Sequence, residues 1–437
     1  MQADLNGTNA GSTAYAPDLE STDVRAMSIA TTLFFMWGFL TALNDILIPH
    51  LKSIFDLNYT EVMLVQFAFF SSYFIFAWPS GKLVEWAGYS RTMIIGLVVM
   101  TAGALLFIPA SKVPSYPLFL GALIVLAAGI TALQVAANPY VANLGPQRTA
   151  SSRLNLAQAF NSLGTTVAPL FGSYVILSNL PKAVDAPALT GAALQAWRAQ
   201  QASSVQLPYI GIAVTLIAIA VGLALVKLPP MTFTQDLRPG EANPITTDKL
   251  RNHPQLFLGA IGIFVYVGAE VAIGSFLINY FQLAAIGGLT ARDAGRYVAF
   301  YWGGAMVGRF IGSAVLRRFA TGAVLGIAST VACLLVLVSM LTFGHVAMVS
   351  IIAVGLFNSI MFPCIFTLGI ADLGPLTGRG SSLLIAAIVG GAIIPVVQGK
   401  IADSSIGVHH AFLLPVLCYV YISFFGFTRA NAKVAVS

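Results

Sequence analysis

Apolar stretches of about 20 residues alternate with short polar ones along the chain, the length an α-helix needs to cross about 30 Å of hydrocarbon. They run at about 27–49, 62–83, 92–110, 116–142, 154–178 and 208–228, and then at about 255–283, 294–316, 322–343, 345–371, 381–402 and 410–428. The pattern predicts an all-α integral membrane protein with twelve spans, six on each side of a gap. That gap, PPMTFTQDLRPGEANPITTDKLRNHP at 229–254, has the Pro, Asp and Arg content of a linker. The expected organisation is a tail at 1–24, a six-helix bundle at 25–228, the linker at 229–254, and a second six-helix bundle at 255–437. A further interruption at about 179–207 holds an Ala- and Gln-rich segment, 188–203, that predicts a short surface helix.

Composition supports the membrane reading. Of 437 residues, 57% are hydrophobic and 9% are Asp, Glu, Lys or Arg, against about 25% charged in a soluble globular chain. So apolar a chain has too little polar surface to cover itself in water. Residues 1–24 carry Asn, Gly, Thr, Ser and Asp without an aliphatic run, as a disordered tail does. No charged segment and small-residue cleavage site frame the first span, which is therefore expected to stay in the mature protein. With the N-terminus inside, fifteen Lys and Arg, Arg153, Arg309 and Arg379 among them, fall on inner faces and seven on outer faces. That bias places both termini in the cytoplasm. Cys333, Cys364 and Cys418 lie far apart in apolar runs and are read as packing residues. No metal site, cofactor motif or nucleic-acid signal is legible.

The two halves repeat each other at a near-constant offset along the chain. VANLGP (141–146) answers IADLGP (370–375), and Asn138-Pro139 answers Phe362-Pro363. Such parallel repeats are a transporter architecture with the substrate site near the midplane between halves. GKLVEWAGYSR (81–91) follows span two, and GSAVLRRF (312–319) follows span eight.

Two carboxylates lie well inside apolar runs, Asp45 in span one and Glu270 in span seven, at repeat-related positions. An ionised acid facing lipid is costly, so each must face an interior cavity or carry a proton, and burial favours the protonated carboxyl that a proton carrier needs. A buried acid that merely ties helices together is the alternative. Amides and hydroxyls gather at helical spacing beside them. Trp37, Thr41, Asn44 and Asp45 share a face of span one. Thr131, Gln134 and Asn138 do so in span four, and Asn155, Gln158, Asn161 and Thr165 in span five. Amides do bond across helices in membranes. Three such stripes in one half nevertheless point to a polar cavity. Amides beside aromatic platforms suit a neutral sugar, whose hydroxyls both donate and accept while its ring stacks. Trp37, Tyr301, Trp302 and Phe362 are the candidate platforms.

On these residues the sequence resembles the fucose and glucose/galactose cation symporters of the major facilitator superfamily. The similar stretches are FFMWGFLTALNDILIPHL (34–51), TALQVAANPYVANLGP (131–146), LNLAQAFNSLG (154–164), YVGAEVAIGSF (266–276) and FNSIMFPCIFTLGIADLGP (357–375). Residues 81–91 resemble the superfamily's cytoplasmic loop signature, with Glu85 where Asp is usual. The resemblance implies two six-helix halves related by a pseudo-two-fold axis. It implies that Asp45 takes part in ion coupling and sugar binding, that Gln158 and Asn161 contact the sugar, and that Trp37 is a cavity aromatic. The fucose branch has a proton-transferring glutamate where Gln134 stands, and a glutamine where Glu270 stands. The acid has changed halves, as in the glucose/galactose branch.

The sequence therefore predicts a hexose importer working by cation symport and alternating access, with H+ favoured over Na+ and glucose or galactose as cargo. Asp45 and Glu270 are the ion-coupling candidates. Trp37, Asn44, Gln134, Asn138, Gln158, Asn161, Tyr301, Trp302 and Phe362 are the sugar-binding candidates. The expected setting is the bacterial inner membrane, as a monomer. An uncoupled facilitator or exporter, or a symporter for fucose, mannose or N-acetylglucosamine, is the alternative. An intramembrane enzyme using the two acids is disfavoured by the lack of a GxGD-like, HExxH or nucleotide-binding motif, and a sugar sensor by the lack of a signalling domain.

Overall fold

A computed structural model describes residues 21–55, 59–113, 115–171, 190–203, 206–226, 228–229, 249–405 and 407–430. The side chains of 43–54, 59–64, 66, 169–171, 195, 201–202, 291 and 292 lie outside the described residues. So do most of the tail and linker expected at 1–24 and 229–254.

The described residues form helices and no strand. The first half holds α1 (Val24–Phe55), α2 (Tyr59–Lys112), α3 (Tyr116–Ala142), α4 (Ala150–Phe171), α5 (Gly191–Ser203) and α6 (Gln206–Leu225). The second holds α7 (Pro254–Gln282), α8 (Ala291–Val315), α9 (Thr321–Leu341), α10 (Gly344–Asn358), α11 (Met361–Ile370), α12 (Thr377–Ala386), α13 (Gly390–Ala402), α14 (Gly407–His410) and α15 (Leu413–Thr428). α5 is the surface helix expected at 188–203.

Nine described stretches are long and apolar enough to cross a membrane. One of them, Phe67–Lys112, covers two expected spans. α2 is broken by a kink at Gly88, where φ is 80° and ψ 172°, a conformation open to a residue without a Cβ. This explains the glycine near the end of GKLVEWAGYSR. The two remaining spans, α4 and α8, fall short of that apolarity because α4 carries the amide stripe and α8 carries Arg309. With α10–α11 and α12–α13 each read as one broken span, the helices supply six crossings per half.

The spans break where proline and the repeat place them. Pro139 is accommodated inside α3, whereas its counterpart Pro363 opens α11, after a turn at Ser359 and Ile360 separates that helix from α10. A proline in the first turn gives up a donor that would have had no partner. The end of α3 is closed by Arg153, which is buried and donates to the carbonyls of Val141 (3.2 Å), Ala142 (2.5 Å), Gly145 (3.0 Å) and Pro146 (2.9 Å). A guanidinium there satisfies the orphan carbonyls and the negative end of the helix dipole. Arg153 is thus a cap and not a free loop charge.

The linker end of the bundle is where α3 stops, α4 starts and the Pro229 carbonyl accepts a bond from Tyr140 Oη (3.2 Å). The halves are joined there. Arg379 at the start of α12 forms a two-pronged ion pair with Glu85 on α2, one prong at 3.2 Å. Ser381 Oγ donates to the Val135 carbonyl of α3 (2.9 Å). Ser151 Oγ pairs with Thr321 (2.9 Å) and Thr367 (2.6 Å), and Ser152 Oγ donates to the Ser313 carbonyl (2.7 Å). All described hydrogen bonds between halves lie from this end to mid-height of the helices, except a 3.7 Å Thr166–Met306 contact.

Candidate functional site

Counted along their helices, Trp37 and Thr41 of α1, Thr131 of α3, Gln158 and Asn161 of α4, Glu270 of α7 and Tyr301 of α8 stand near mid-height, whereas Asn138 lies one turn before the end of α3 and Asn358 ends α10, because every residue advances a helix by the same rise. On α1, Trp37 is buried and stacks obliquely on Phe34, with ring centroids 4.4 Å apart. Thr41 donates to the Trp37 carbonyl at 2.9 Å and so stays bonded to its own helix. Asn44 and Asp45 continue the same helix face, and their side chains lie outside the described residues.

α1 and α4 cross so closely that a Cβ on Gly38 would sit 2.2 Å from the Asn161 carbonyl oxygen and 2.6 Å from Asn161 Nδ2. One turn along, a Cβ on Gly164 would sit 2.2 Å from the Phe35 oxygen. Glycine is therefore needed on both helices for the crossing. It brings Asn161 Nδ2 within 3.0 Å of the Phe34 carbonyl. Of the α4 stripe, Asn161 thus faces α1. Asn155 faces α8, donating to the Arg309 carbonyl at 2.5 Å, beside Gly312. Gln158 lies between them, buried, and its side chain has no hydrogen bond to a described residue. Thr165 turns back to its own Ser162 carbonyl (2.8 Å).

The α3 stripe divides in the same way. Thr131 bonds its own helix at Ala127 (2.8 Å). Gln134 Nε2 donates to Tyr73 Oη of α2 at 3.0 Å. Asn138 is fully buried, and neither Nδ2 nor Oδ1 has a partner among the described residues. An amide without a partner in such a place costs several kcal/mol by transfer scales, a cost that a residue outside the described set, a water or a ligand would offset.

In the second half, Glu270 is half-buried on α7 and accepts a bond from Tyr266 Oη one turn earlier (2.8 Å). Arg309 of α8 interacts with it electrostatically. The Arg309 guanidinium reaches across to α4, donating to Ser162 Oγ and to the Gln158 carbonyl (3.3 Å), and it also approaches the Ser359 carbonyl (3.4 Å). Tyr301 is fully buried and accepts from Asn358 Nδ2 (2.8 Å), whose Oδ1 accepts from Tyr419 Oη (2.6 Å). Trp302 sets its ring edge against Tyr301, centroids 5.1 Å apart, and is 46% exposed. Phe362 is buried and stacks on Phe366 at 5.9 Å.

The structure therefore sets Asn161 against the turn of α1 that carries Trp37, and joins the Gln158 backbone carbonyl on α4 to Arg309 of the second half. Gln134 bonds Tyr73 and is not shown in contact with that group. Sequence reasoning missed Arg309, counting it among cytoplasmic loop charges, and missed Tyr266, Asn358 and Tyr419. Tyr266 had a signal in its position one helical turn before Glu270. Among the described residues no group of His, Cys, Asp or Glu could hold a metal ion.

Polar groups held at mid-height between two helical halves that close at one end are the apparatus of a multi-pass membrane transporter, not of an enzyme. The model of the Major Facilitator Superfamily matches residues 29–395, and the chain belongs to that family. It is 51% identical over 405 residues to the glucose/galactose transporter of Brucella abortus biovar 1 (strain 9-941), covering 92% of this chain and 93% of that one. It is 36% identical over 412 residues to the L-fucose-proton symporter of Escherichia coli (strain K12), covering 93% of each. A crystal structure of the transporter FucP in the outward conformation superposes with a TM-score of 0.85 at 34% identity, over 93% of this chain and 99% of FucP.

Proposed function

We propose that the chain imports glucose or galactose across a bacterial inner membrane by cation symport, with H+ favoured over Na+. The observation that carries this reading is 51% identity over nearly the whole length to a glucose/galactose transporter; an amide at Gln134 with an acid at Glu270, the arrangement the resemblance implies for the glucose/galactose branch, agrees with it. Asp45 and Glu270 are the coupling acids. Trp37, Asn44, Gln134, Asn138, Gln158 and Asn161 form the sugar-binding set of the first half, and Tyr301, Trp302 and Phe362 supply apolar faces from the second.

The bundles at 25–228 and 255–437 act as the two moving bodies of a monomer, joined by 229–254, with the tail, linker and both termini cytoplasmic. On this orientation the linker end is the inner gate, and the arrangement described is open to the outside. The outward conformation of FucP supports that assignment. The fully buried amide of Asn138, without a partner among the described residues, supports a polar ligand in the first half. Counterflow of labelled hexoses in proteoliposomes, at set pH and sodium gradients, tests the reading. Accumulation of labelled glucose or galactose driven by a proton gradient is expected. Uptake indifferent to both ion gradients would establish the uncoupled facilitator instead, and exclusive exchange of fucose would overturn the cargo.

A further inference from the structure

The turn of α4 from Gln158 to Ser162 carries both sugar-binding candidates of that helix, and it is gripped from two sides. On the first-half side α1 meets it at Gly38, and Asn161 Nδ2 donates to the Phe34 carbonyl at 3.0 Å. On the second-half side stands Arg309 of α8. Its guanidinium donates to Ser162 Oγ and to the Gln158 carbonyl (3.3 Å), and so spans residues i and i+4 of one turn. Its own carbonyl accepts from Asn155 Nδ2 (2.5 Å), about one turn nearer the linker end. Nearer still, Ser152 and Ser313 each donate to the other's carbonyl. Arg309 is thus the rung of this α4–α8 seam that reaches the sugar-binding turn. It is also anchored in its own half. A Cβ on Gly308 would sit 2.3 Å from the Leu356 carbonyl oxygen of α10, and the Arg309 Nε approaches the Ser359 carbonyl (3.4 Å). When the halves part at the linker end, Arg309 leaves with α8, and the turn keeps only its grip on α1.

We propose that Arg309, a residue of the second half, is a positioning residue of the sugar site in the first, fixing the Gln158–Ser162 turn while the linker end is shut. The proposal deepens the transport reading above and rests on its assignment of Gln158 to the sugar. The Gln158 side chain has no hydrogen bond to a described residue, so the backbone that carries it sets where its amide points. A binding group has to be held within about 0.5 Å and 10–20° of its working geometry. A guanidinium bonded at both ends of the turn supplies that restraint, because its planar fork loses little freedom for each bond it makes. Charge assistance makes these bonds stronger than bonds between neutral groups. Sugar arriving from the outside therefore meets a preorganised turn. Once the linker end has opened, the same turn is held by α1 alone, and sugar is bound more weakly with none of its own contacts exchanged. The site grips on the side of uptake and loosens on the side of release.

The test is made in protein locked shut at the linker end, so that a change in affinity cannot come from the halves parting. Ser152→Cys and Ser313→Cys supply the lock, since the two Oγ atoms lie 3.3 Å apart, with Cys333, Cys364 and Cys418 replaced. Isothermal titration measures the affinity of the purified, locked protein for glucose and for galactose. Arg309→Gln is expected to lower it about tenfold, as loss of charge-assisted bonds would. In the Gln158→Ala background the same change should cost far less, because the arginine acts through that amide. Arg309→Lys keeps the charge but cannot bond both ends of the turn. It should bind between parent and Arg309→Gln, and it carries the test if the glutamine variant does not fold. Parental affinity in Arg309→Gln, or in Arg309→Lys where that variant stands in, beside a weakened Gln158→Ala would overturn this proposal alone. So would an Arg309 effect equally large with and without the Gln158 amide. A locked parent that binds neither hexose, or parental affinity in Gln158→Ala, would sink the site reading and the proposal with it.

Discussion

Gly38→Ala should damage sugar binding without adding or removing a single polar group. The new Cβ would lie 2.2 Å from the Asn161 carbonyl oxygen and 2.6 Å from its Nδ2. Ordinary contact begins at 3.4 Å, so either α1 and α4 separate at their crossing by the difference between that and 2.2 Å, or Asn161 leaves its place. Both routes strain the 3.0 Å bond from Asn161 to the Phe34 carbonyl and shift Trp37, the preceding residue on α1. Overpacking of this kind typically costs about 1–3 kcal/mol, a factor of roughly 5 to 150 if it falls wholly on the bound state. Isothermal titration with glucose or galactose measures the affinity, and thermal unfolding in detergent measures what falls on the fold. Gly121→Ala is the control, since nothing lies within 4 Å of a Cβ there. Parental affinity and parental stability together in Gly38→Ala would refute the claim that this crossing sets the position of Asn161.

Asp45→Asn should abolish uphill uptake while leaving exchange of internal for external sugar, and concentrative uptake by this variant would remove Asp45 as a coupling acid. Gln158→Ala and Asn161→Ala should each weaken binding by about 1–3 kcal/mol, as measured by calorimetry, since a buried sugar hydroxyl loses its partner. Unchanged affinity would return these amides to a purely interhelical role. Glu270→Gln should alter the ion dependence of uptake and not simply its maximal rate, and adding Gln134→Glu should restore coupling. Reduced folded yield with parental ion dependence would mark Glu270 as structural.

The spans were legible because lipid imposes a length and an apolarity on each helix, and α3 spans the residues of its apolar window, 116–142. Gly88 was visible only as one position of the loop-signature stretch 81–91, because its role depends on a backbone angle that composition does not encode. The stripe on α4 was legible as a stripe. Its division among Asn155, Gln158 and Asn161 was not, because each residue is assigned by whichever helix lies opposite. Arg309 was misplaced for the same reason. One arginine near the end of an apolar run resembles a loop charge until α4, far earlier in the chain, is brought against it. Tyr301, Asn358 and Tyr419 lie on three helices and share no local pattern.

The seal at the linker end is made largely of hydroxyl pairs, Ser151 with Thr321 and Thr367 and Ser152 with Ser313, and has one described ion pair, Glu85–Arg379, at its rim. A neutral hydrogen bond adds only about 0.5–1.5 kcal/mol net, because water replaces the partner as the pair parts. A gate built this way opens mainly by gradual hydration of hydroxyls, with the Glu85–Arg379 pair and the Arg309 bonds to Ser162 and Gln158 as the charged groups that must be rehydrated. Its grip should also be nearly blind to ionic strength, since screening acts on the rim pair and not on the hydroxyls.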